Sequence, residues 1–322
     1  MAPPGFTKAA KYSLTARLER LVAGQPGWIG VAALHVESGS RAGVHPDDLF
    51  PMASVVKLPV AIAVLARVDR GTLALDSLVL LEPRHMRVGA SPLSARHPRG
   101  NVRVPVSELV DVMLIDSDNA ACDRLIELLG GPQAVEATMR DLRVPRISVD
   151  RTEAELGFDW LGVAQRPPES TWTRTRLDSL ARAVPVARRS AAMEAFQRDP
   201  RDTSSPFGMA WLLMRIQQGV VLSAPSTKRL LDAMTRCATG PGRLPARLPR
   251  GTPVARKTGT LGISNRGPRI ANDVGIVTLP DGRGHLAIAV FVKEWTGTIE
   301  EAEARIARLA RACYDAALEA DR

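Results

Sequence analysis

Hydrophobic residues change their spacing along the chain, and the spacing predicts where helices and strands occur. Residues 13–24 repeat leucine at helical intervals, and residues 28–36 form a short apolar run that ends in a turn sequence. Helical spacing returns in residues 54–70, 105–140, 205–219 and 223–237, with one weaker helical piece near residues 176–196. The pattern predicts a helix and a strand first, followed by a middle region that is mainly helical.

Near the C-terminus the apolar period changes to two. Residues 253–260, 272–280 and 285–294 are short β-type runs, and Asp281-Gly282 between the last two is typical of a hairpin turn. Residues 298–320 then form a long amphipathic pattern, which predicts a final helix. Because sequential strands joined by tight turns pair antiparallel, this region predicts an antiparallel sheet.

Strands near both chain ends, with helices between them, predict an α+β fold. We expect an antiparallel sheet flanked by helices, with an inserted all-α lobe. Residues 1–50 and 236–322 would form one α/β lobe, and residues 51–235 would form the all-α lobe. A cleft between two such lobes is the expected place for a ligand site.

The apolar segment FPMASVVKLPVAIAVLARV, residues 50–68, contains a serine and a lysine three residues apart. Residues i and i+3 share a helical face, so the Lys57 amine can reach the Ser54 hydroxyl. Apolar neighbours favour the neutral amine, which can accept the proton of a serine nucleophile. Only six of the 43 basic residues are lysines, which indicates a need here for a cation that can lose its proton. The alternative is a lysine that reaches the surface along its aliphatic stem.

Two polar stretches in the middle of the chain could complete such a site. DSDNAACDRL places Ser117, Asp118 and Asn119 between two predicted helices, where a hydroxyl could pass a proton and an amide could hold a carbonyl. An ordinary helix N-cap is the alternative. SVDRTEAELGFDW places Glu153 in a predicted loop, where it could activate a water or could simply be solvated.

A third stretch, RKTGTLG, lies on a predicted strand. Gly259 would let a ligand approach the main chain closely, and Lys257, Thr258 and Thr260 could bind a carboxylate. A basic strand without a ligand is the alternative.

The motifs Ser-x-x-Lys, Ser-Asp-Asn, a glutamate and Lys-Thr-Gly occur in this order, and the set resembles that of the penicillin-recognising serine enzymes. It is most similar to the class A β-lactamases. Segments such as SPLSARHPRGNVRV and NDVGIVTLPDGRGHLAIAVFV resemble the extended-spectrum branch of that class. The resemblance covers residues 13–160 and 203–319.

The resemblance implies hydrolysis of a β-lactam amide through a serine acyl-enzyme. Ser54 would attack the lactam carbonyl, and the backbone N–H groups of Ser54 and Thr260 would form the oxyanion hole. Lys57, or Glu153 through a water, would take the Ser54 proton. Ser117 would pass a proton to the ring nitrogen, and Glu153 would activate the water that releases Ser54.

Substrate binding follows from the same resemblance. Asn119 would bind the acylamide side chain of the substrate. Lys257, Thr258 and Thr260 would meet its carboxylate, close to the main chain at Gly259. The alternatives from the same fold are a D-alanyl peptidase or esterase, and a sensor that β-lactams acylate and that turns over slowly.

The chain departs from the family pattern at two places. Gly157 stands four residues after Glu153, where the family has a side chain that helps to hold the water, so we expect slow deacylation or another group in that role. Residues 161–202 lengthen the next segment, and a long insertion beside a cleft tends to be functional or mobile. Arg266 or Arg269 could replace a carboxylate-binding arginine.

Composition narrows the possible partners. The net charge is +9, but the basic residues are scattered and aromatic residues make up 4%, so we expect no nucleic-acid partner. The apolar runs are too short to span a membrane. Three cysteines form no disulfide framework, and five histidines lie at no metal or triad spacing, so we expect neither a metal nor another cofactor.

The expected partner is a small molecule, a β-lactam or, as the alternative, a peptidoglycan-like peptide or ester, bound by a monomer. The first residues contain no apolar signal region. The sequence therefore predicts a cytoplasmic protein, or a periplasmic or secreted one if a leader was removed.

Overall fold

The computed structural model describes the backbone of residues 8–319, except 88 and 263–268, and the side chains from residue 13 onward. Within these residues the chain forms twelve α-helices and nine strands. The helices are α1 (Lys8–Val22), α2 (Lys57–Asp69), α3 (Pro92–Arg96), α4 (Val106–Ile115), α5 (Asn119–Leu129), α6 (Pro132–Asp141), α7 (Glu153–Leu161), α8 (Arg174–Ala183), α9 (Val186–Phe196), α10 (Pro206–Gln217), α11 (Ala224–Thr235) and α12 (Ile299–Glu319). The strands are β1 (Trp28–His35), β2 (Arg41–Val44), β3 (Phe50–Pro51), β4 (Leu78–Leu81), β5 (Val102–Pro105), β6 (Thr203–Ser204), β7 (Val254–Leu261), β8 (Arg269–Thr278) and β9 (His285–Trp295).

The main sheet has five strands in the order β2-β1-β9-β8-β7, and every neighbouring pair is antiparallel. Because β1 pairs with β9, the two ends of the chain build one sheet. The β8–β9 turn has Asp281 at φ 55° and Gly282 at φ 68°, the left-handed backbone that two-residue hairpin turns require. The α+β fold class with an antiparallel sheet is confirmed.

Alternating side chains give the sheet a separate core on each face. In β1, Val31 and Ala33 pack with α1 and α12, whereas Ala32 and Leu34 pack with α10 and the helices of the middle region. The middle region also contains two short ladders, β3 with β6 and β4 with β5. The division into lobes at residues 50 and 235 stays a prediction.

Helix α2 lies at the centre of the helical region. Every residue from Lys57 to Leu65 is buried, and the helix contacts α4, α5, α6 and α11. The sequence predicted one helix from residue 54, but a 3₁₀ turn at Ala53–Val56 precedes α2 and carries Ser54. A 3₁₀ turn aligns residues i and i+3, so Ser54 still faces Lys57.

Two expectations for the region between residues 153 and 196 were wrong. Glu153 is the first residue of α7 and does not lie in a loop. The Thr152 hydroxyl accepts from the Glu155 N–H, and the Glu155 carboxylate accepts from the Thr152 N–H; this capping box starts the helix. The single helix expected near residues 176–196 is two helices, α8 and α9, because Pro185 ends helical hydrogen bonding between them.

Asn272 joins the sheet to the turn that carries Ser54. Its fully buried amide donates to the carbonyls of Pro51 (2.9 Å) and Met52 (3.0 Å), and its oxygen accepts from the Val292 N–H (3.1 Å). One side chain therefore satisfies three buried backbone groups.

Replacing Asn272 by alanine should remove a hydrogen-bond partner from each of these three buried backbone groups, of which the Met52 carbonyl keeps the Val55 N–H at 3.1 Å. We expect Asn272→Ala to lower the free energy of unfolding by about 1–3 kcal/mol, measured by urea denaturation. The matched control is Gln133→Ala, which removes an exposed amide and should change that energy by less than about 0.5 kcal/mol. Equal effects of the two substitutions would contradict the role of Asn272.

Candidate active site

Ser54 lies on a turn whose backbone is strained. Ala53, immediately before it, has φ 47°, a left-handed value that is unusual for a residue with a side chain. Such conformations persist where surrounding contacts hold them, and they cluster at functional sites. Ala53, Val55 and Val56 are buried, while Ser54 is half-buried. The turn therefore leaves the Ser54 side chain accessible and buries the residues on either side of it.

The amine of Lys57 is the centre of the site. Its Nζ donates to Ser54 Oγ (2.8 Å), to the Ser117 carbonyl (2.9 Å) and to Asn119 Oδ1 (2.6 Å), and lies 3.3 Å from Ser117 Oγ. Glu153 Oε1 is 3.0 Å from the same nitrogen, as an ion pair outside good hydrogen-bond alignment. Lys57 is fully buried, so the alternative of a lysine that reaches the surface is excluded.

Ser117 lies between two lysines. Its Oγ accepts from Lys257 Nζ at 2.9 Å and is 3.3 Å from Lys57 Nζ. Like Ala53, Ser117 has a left-handed backbone, with φ 62°. Burial, and then the charge of Lys57, lower the pKa of Lys257 to about 7. A hydroxyl that contacts two amines, one of which titrates near neutral pH, can pass a proton in either direction.

Asp118 positions this loop. Its carboxylate caps α5 by accepting from the Ala121 N–H (2.9 Å), and it also accepts from the Leu93 N–H (2.7 Å) and the Ser91 hydroxyl (3.0 Å). The side chain is fully buried. These bonds fix the backbone that carries Ser117 and Asn119.

Asp123, which the sequence analysis missed, holds the start of α7. Its carboxylate accepts from the N–H groups of Glu153 (2.6 Å) and Ala154 (3.1 Å), and Arg87 Nε donates to it at 2.6 Å. Burial raises the pKa of Asp123, and the Arg87 charge opposes that rise. The available signal was its position four residues after Asn119, on the same face of α5.

Strand β7 supplies the other side of the site. A side chain at Gly259 would place Cβ 2.4 Å from the Met52 carbonyl oxygen, so only glycine allows β7 to lie against the Ser54 turn. The Thr258 hydroxyl bonds the Thr239 hydroxyl, and Lys257 Nζ donates to the Thr258 carbonyl at 2.8 Å. Because β7 is an edge strand, its outward N–H groups are not used by the sheet.

An arginine that the sequence analysis did not single out contacts this strand. Arg243 is buried and donates to Thr260 Oγ1 (2.6 Å) and to the carbonyls of Gly259 (3.1 Å) and Asn272 (2.8 Å). Arg269, one of the two arginines considered from the sequence, donates instead to the carbonyls of Thr296 and Gly297.

The second of those arginines, Arg266, lies outside the described residues. No local motif marks Arg243, because its partners lie on β7, β8 and α12, where Glu303 pairs with it at 3.0 Å, and these elements follow one another only later in the sequence.

Gly157 lies one helical turn after Glu153 on α7. A Cβ atom placed there would find no atom within 4 Å. Position 157 therefore has space for a side chain, and the glycine leaves this space empty.

Among the residues described, no group of three or more histidine, cysteine or acidic side chains is arranged to hold a metal ion. The same residues include no helix that is both long and apolar enough to cross a bilayer.

Comparisons with known proteins identify one family. The family model described as the β-lactamase enzyme family matches residues 13–317. The extended-spectrum β-lactamase PER-1 of Pseudomonas aeruginosa is 31% identical over 96% of this chain and 88% of its own length. The carbapenem-hydrolyzing β-lactamase KPC of Klebsiella oxytoca is 29% identical over 95% of this chain and 90% of its own.

Solved structures give the same result. The TLA-1 extended-spectrum β-lactamase superposes with a TM-score of 0.80 at 28% identity, covering 95% of this chain and 99% of that one. A β-lactamase from Chitinophaga pinensis has a TM-score of 0.77 at 32% identity, with coverage of 95% and 99%. A class A ancestral β-lactamase gives 0.76 at 31% identity, over 94% and 99%. The chain therefore belongs to the β-lactamase enzyme family, among the class A serine enzymes that its motifs resemble.

Proposed function

We propose that Ser54 is the nucleophile of this β-lactamase, and that Lys57 and Glu153 carry its proton transfers. The observation that carries the proposal is a pair of contacts at Lys57 Nζ, 2.8 Å to Ser54 Oγ and 3.0 Å to Glu153 Oε1. A serine becomes a competent nucleophile when a base lies beside it. Lys57, the first candidate base, contacts the Ser54 hydroxyl, and Glu153, the second, contacts Lys57.

Acylation would proceed by attack of Ser54 Oγ on the lactam carbonyl carbon. The Ser54 proton passes to Lys57 after that amine has given a proton to Glu153 at 3.0 Å, or passes through a water directly to Glu153. The backbone N–H groups of Ser54 and Thr260 would stabilise the oxyanion, an effect of about 3 kcal/mol for each donor. When the carbon–nitrogen bond breaks, Ser117 would give a proton to the ring nitrogen. The Lys257 amine at 2.9 Å supports this role, because it can replace the proton.

Two groups of side chains would orient the substrate. Asn119 already accepts from Lys57 through Oδ1, so its Nδ2 is the atom that can donate to the acylamide carbonyl. Lys257, Thr258 and Thr260 would bind the carboxylate. Arg243 donates to Thr260 Oγ1 at 2.6 Å and would orient that hydroxyl, while its own charge is paired with Glu303 at 3.0 Å.

In deacylation Glu153 would act as the general base. It would take a proton from a water that attacks the acyl-enzyme carbonyl, and this proton would return to Ser54 Oγ as the acyl group leaves. A positioned base of this kind contributes about 10²–10⁴-fold in rate. Its fixed place at the start of α7, through the Asp123 carboxylate, supports this assignment.

Ser54→Ala should abolish the covalent adduct with a chromogenic cephalosporin, because no hydroxyl remains to attack. Glu153→Gln should still be acylated but should retain the adduct, because the water has lost its base. Intact-mass spectrometry and absorbance, followed together, measure both results.

The matched controls for these variants are Ser179→Ala and Glu194→Gln, which change exposed residues of α8 and α9 and should turn over like the wild type. Rapid turnover by Glu153→Gln would show that another group is the deacylating base. A covalent adduct on the Ser54→Ala variant would show that Ser54 is not the nucleophile.

Gly157→Asn should speed deacylation, because the position has room for a side chain one turn from Glu153 that could hold the water. We expect kcat to rise by up to about tenfold, a part of what a positioned base supplies. Burst kinetics separate this step from acylation, which should not change. Gly157→Ala, which adds Cβ without the amide, is the control, and an equal rise in both variants would assign the effect to the helix and not to the water.

Binding of a substrate carboxylate should weaken as the pH rises through 7. Lys257, with its pKa of about 7, is charged below that pH and increasingly neutral above it. We expect the Kd of a penicillin for the Ser54→Ala variant to rise by at most about tenfold per pH unit above 7, measured by calorimetry. A penicillin methyl ester is the control and should show no such trend; a flat profile for the free acid would exclude Lys257 from carboxylate binding.

We also propose that the enzyme acts as a monomer, in the periplasm or outside the cell. The large hydrophobic side chains exposed among the described residues are four, and they are far apart along the chain: Trp28, Leu78, Val186 and Val220. Analytical ultracentrifugation and cell fractionation test these two statements.

A further inference from the structure

Residues 161–202 lengthen the chain relative to the family pattern. They form one wall of a cavity beside Asn119 and Glu153. The cavity has a volume of about 240 Å³, and Leu177 and Ala181, one turn apart on α8, line it. Asn119 and Glu153 line it from the other side, and both also contact Lys57. The cavity therefore borders the acylation site.

The cavity has apolar walls because of α7 as well as α8. Phe158 and Leu161 line it, and the missing side chain of Gly157 leaves the space between them and Glu153 open. A side chain at position 157 would enter this space. The open volume is thus a direct consequence of the departure at Gly157.

The apolar wall is held in place by its own small core. Phe158, Val163, Trp172 and Leu177 form one buried cluster, and the rings of Phe158 and Trp172 meet edge to face at 5.3 Å and 78°. Arg87 lies over the Trp172 ring at 5.4 Å. These contacts anchor the inserted segment to the residues that hold α7.

Both charged side chains that line the cavity are already paired. Arg87 donates to Asp123 at 2.6 Å, and Glu153 lies 3.0 Å from Lys57. A charged ligand group would have to lose water without gaining a free partner, which is unfavourable. The cavity therefore suits an uncharged group.

We propose that this cavity receives an uncharged aromatic or branched apolar acyl substituent of the β-lactam, and that α8 thereby sets substrate preference. The proposal rests on the proposed function, because it takes Asn119 as the residue that binds the acylamide. An amide held there places the substituent next to Glu153, at the mouth of the cavity. A phenyl ring fits, since a cavity of about 150 Å³ accommodates benzene.

Ala181→Phe should fill the cavity from the inserted side without changing a residue that contacts Lys57. The measurement is kcat/KM for a penicillin with a phenylacetyl substituent, divided by kcat/KM for the unsubstituted 6-amino nucleus. We expect Ala181→Phe to lower this ratio by about tenfold or more. Ala183→Phe, an exposed position at the end of the same helix, should leave the ratio as in the wild type.

Leu177→Ala tests the proposal in the opposite direction. It enlarges the cavity and should raise kcat/KM for a naphthyl-substituted penicillin relative to the phenylacetyl compound. A wild-type enzyme that handles a phenylacetyl group bearing a second carboxylate as well as the uncharged one would overturn the proposal, as would an equal fall for both substrates in Ala181→Phe. Failure of the proposed function is distinguishable, because wild-type protein would then neither hydrolyse the 6-amino nucleus nor form an adduct at Ser54.

Discussion

The buried amine of Lys57 is the contact on which the rest of the site depends. An ammonium has three N–H donors, and here five oxygen atoms from four residues lie within 3.3 Å of it. Removing such a cation from water is costly unless it is paired and hydrogen-bonded. The 3₁₀ turn, the α4–α5 loop and α7 must therefore keep their positions, because each supplies an oxygen to this one nitrogen.

The sheet sustains the strained backbone that this arrangement requires. Ala53 and Ser117 both have left-handed φ angles, which cost energy and persist only where surrounding contacts fix them. Asn272 binds the carbonyls before Ala53, and the absent side chain of Gly259 lets β7 touch the same turn. The antiparallel sheet thus acts as the rigid support for the serine.

Helix α7 is fixed from two sides. Asp123 accepts from its first N–H groups, while Arg151, just before it, pairs with Asp202 (2.5 Å), Asp199 (3.0 Å) and Asp159 (2.8 Å). Two of these carboxylates come from the end of the inserted segment. The insertion therefore both closes the cavity beside Glu153 and helps to hold the helix that carries it.

Local pattern was enough to predict the first helix and strand, the last three strands, the final helix and the order of the motifs. The period-two strands, the helical runs and the Ser54–Lys57 spacing depend on residues close in sequence. The capping box at Thr152 could also have been recognised from the sequence, although the helix that it starts was not predicted. Only the tertiary structure decided that Arg243 and Asp123 belong to the site. Their partners lie on distant elements, and which distant side chains meet depends on how those elements pack, which no local spacing records.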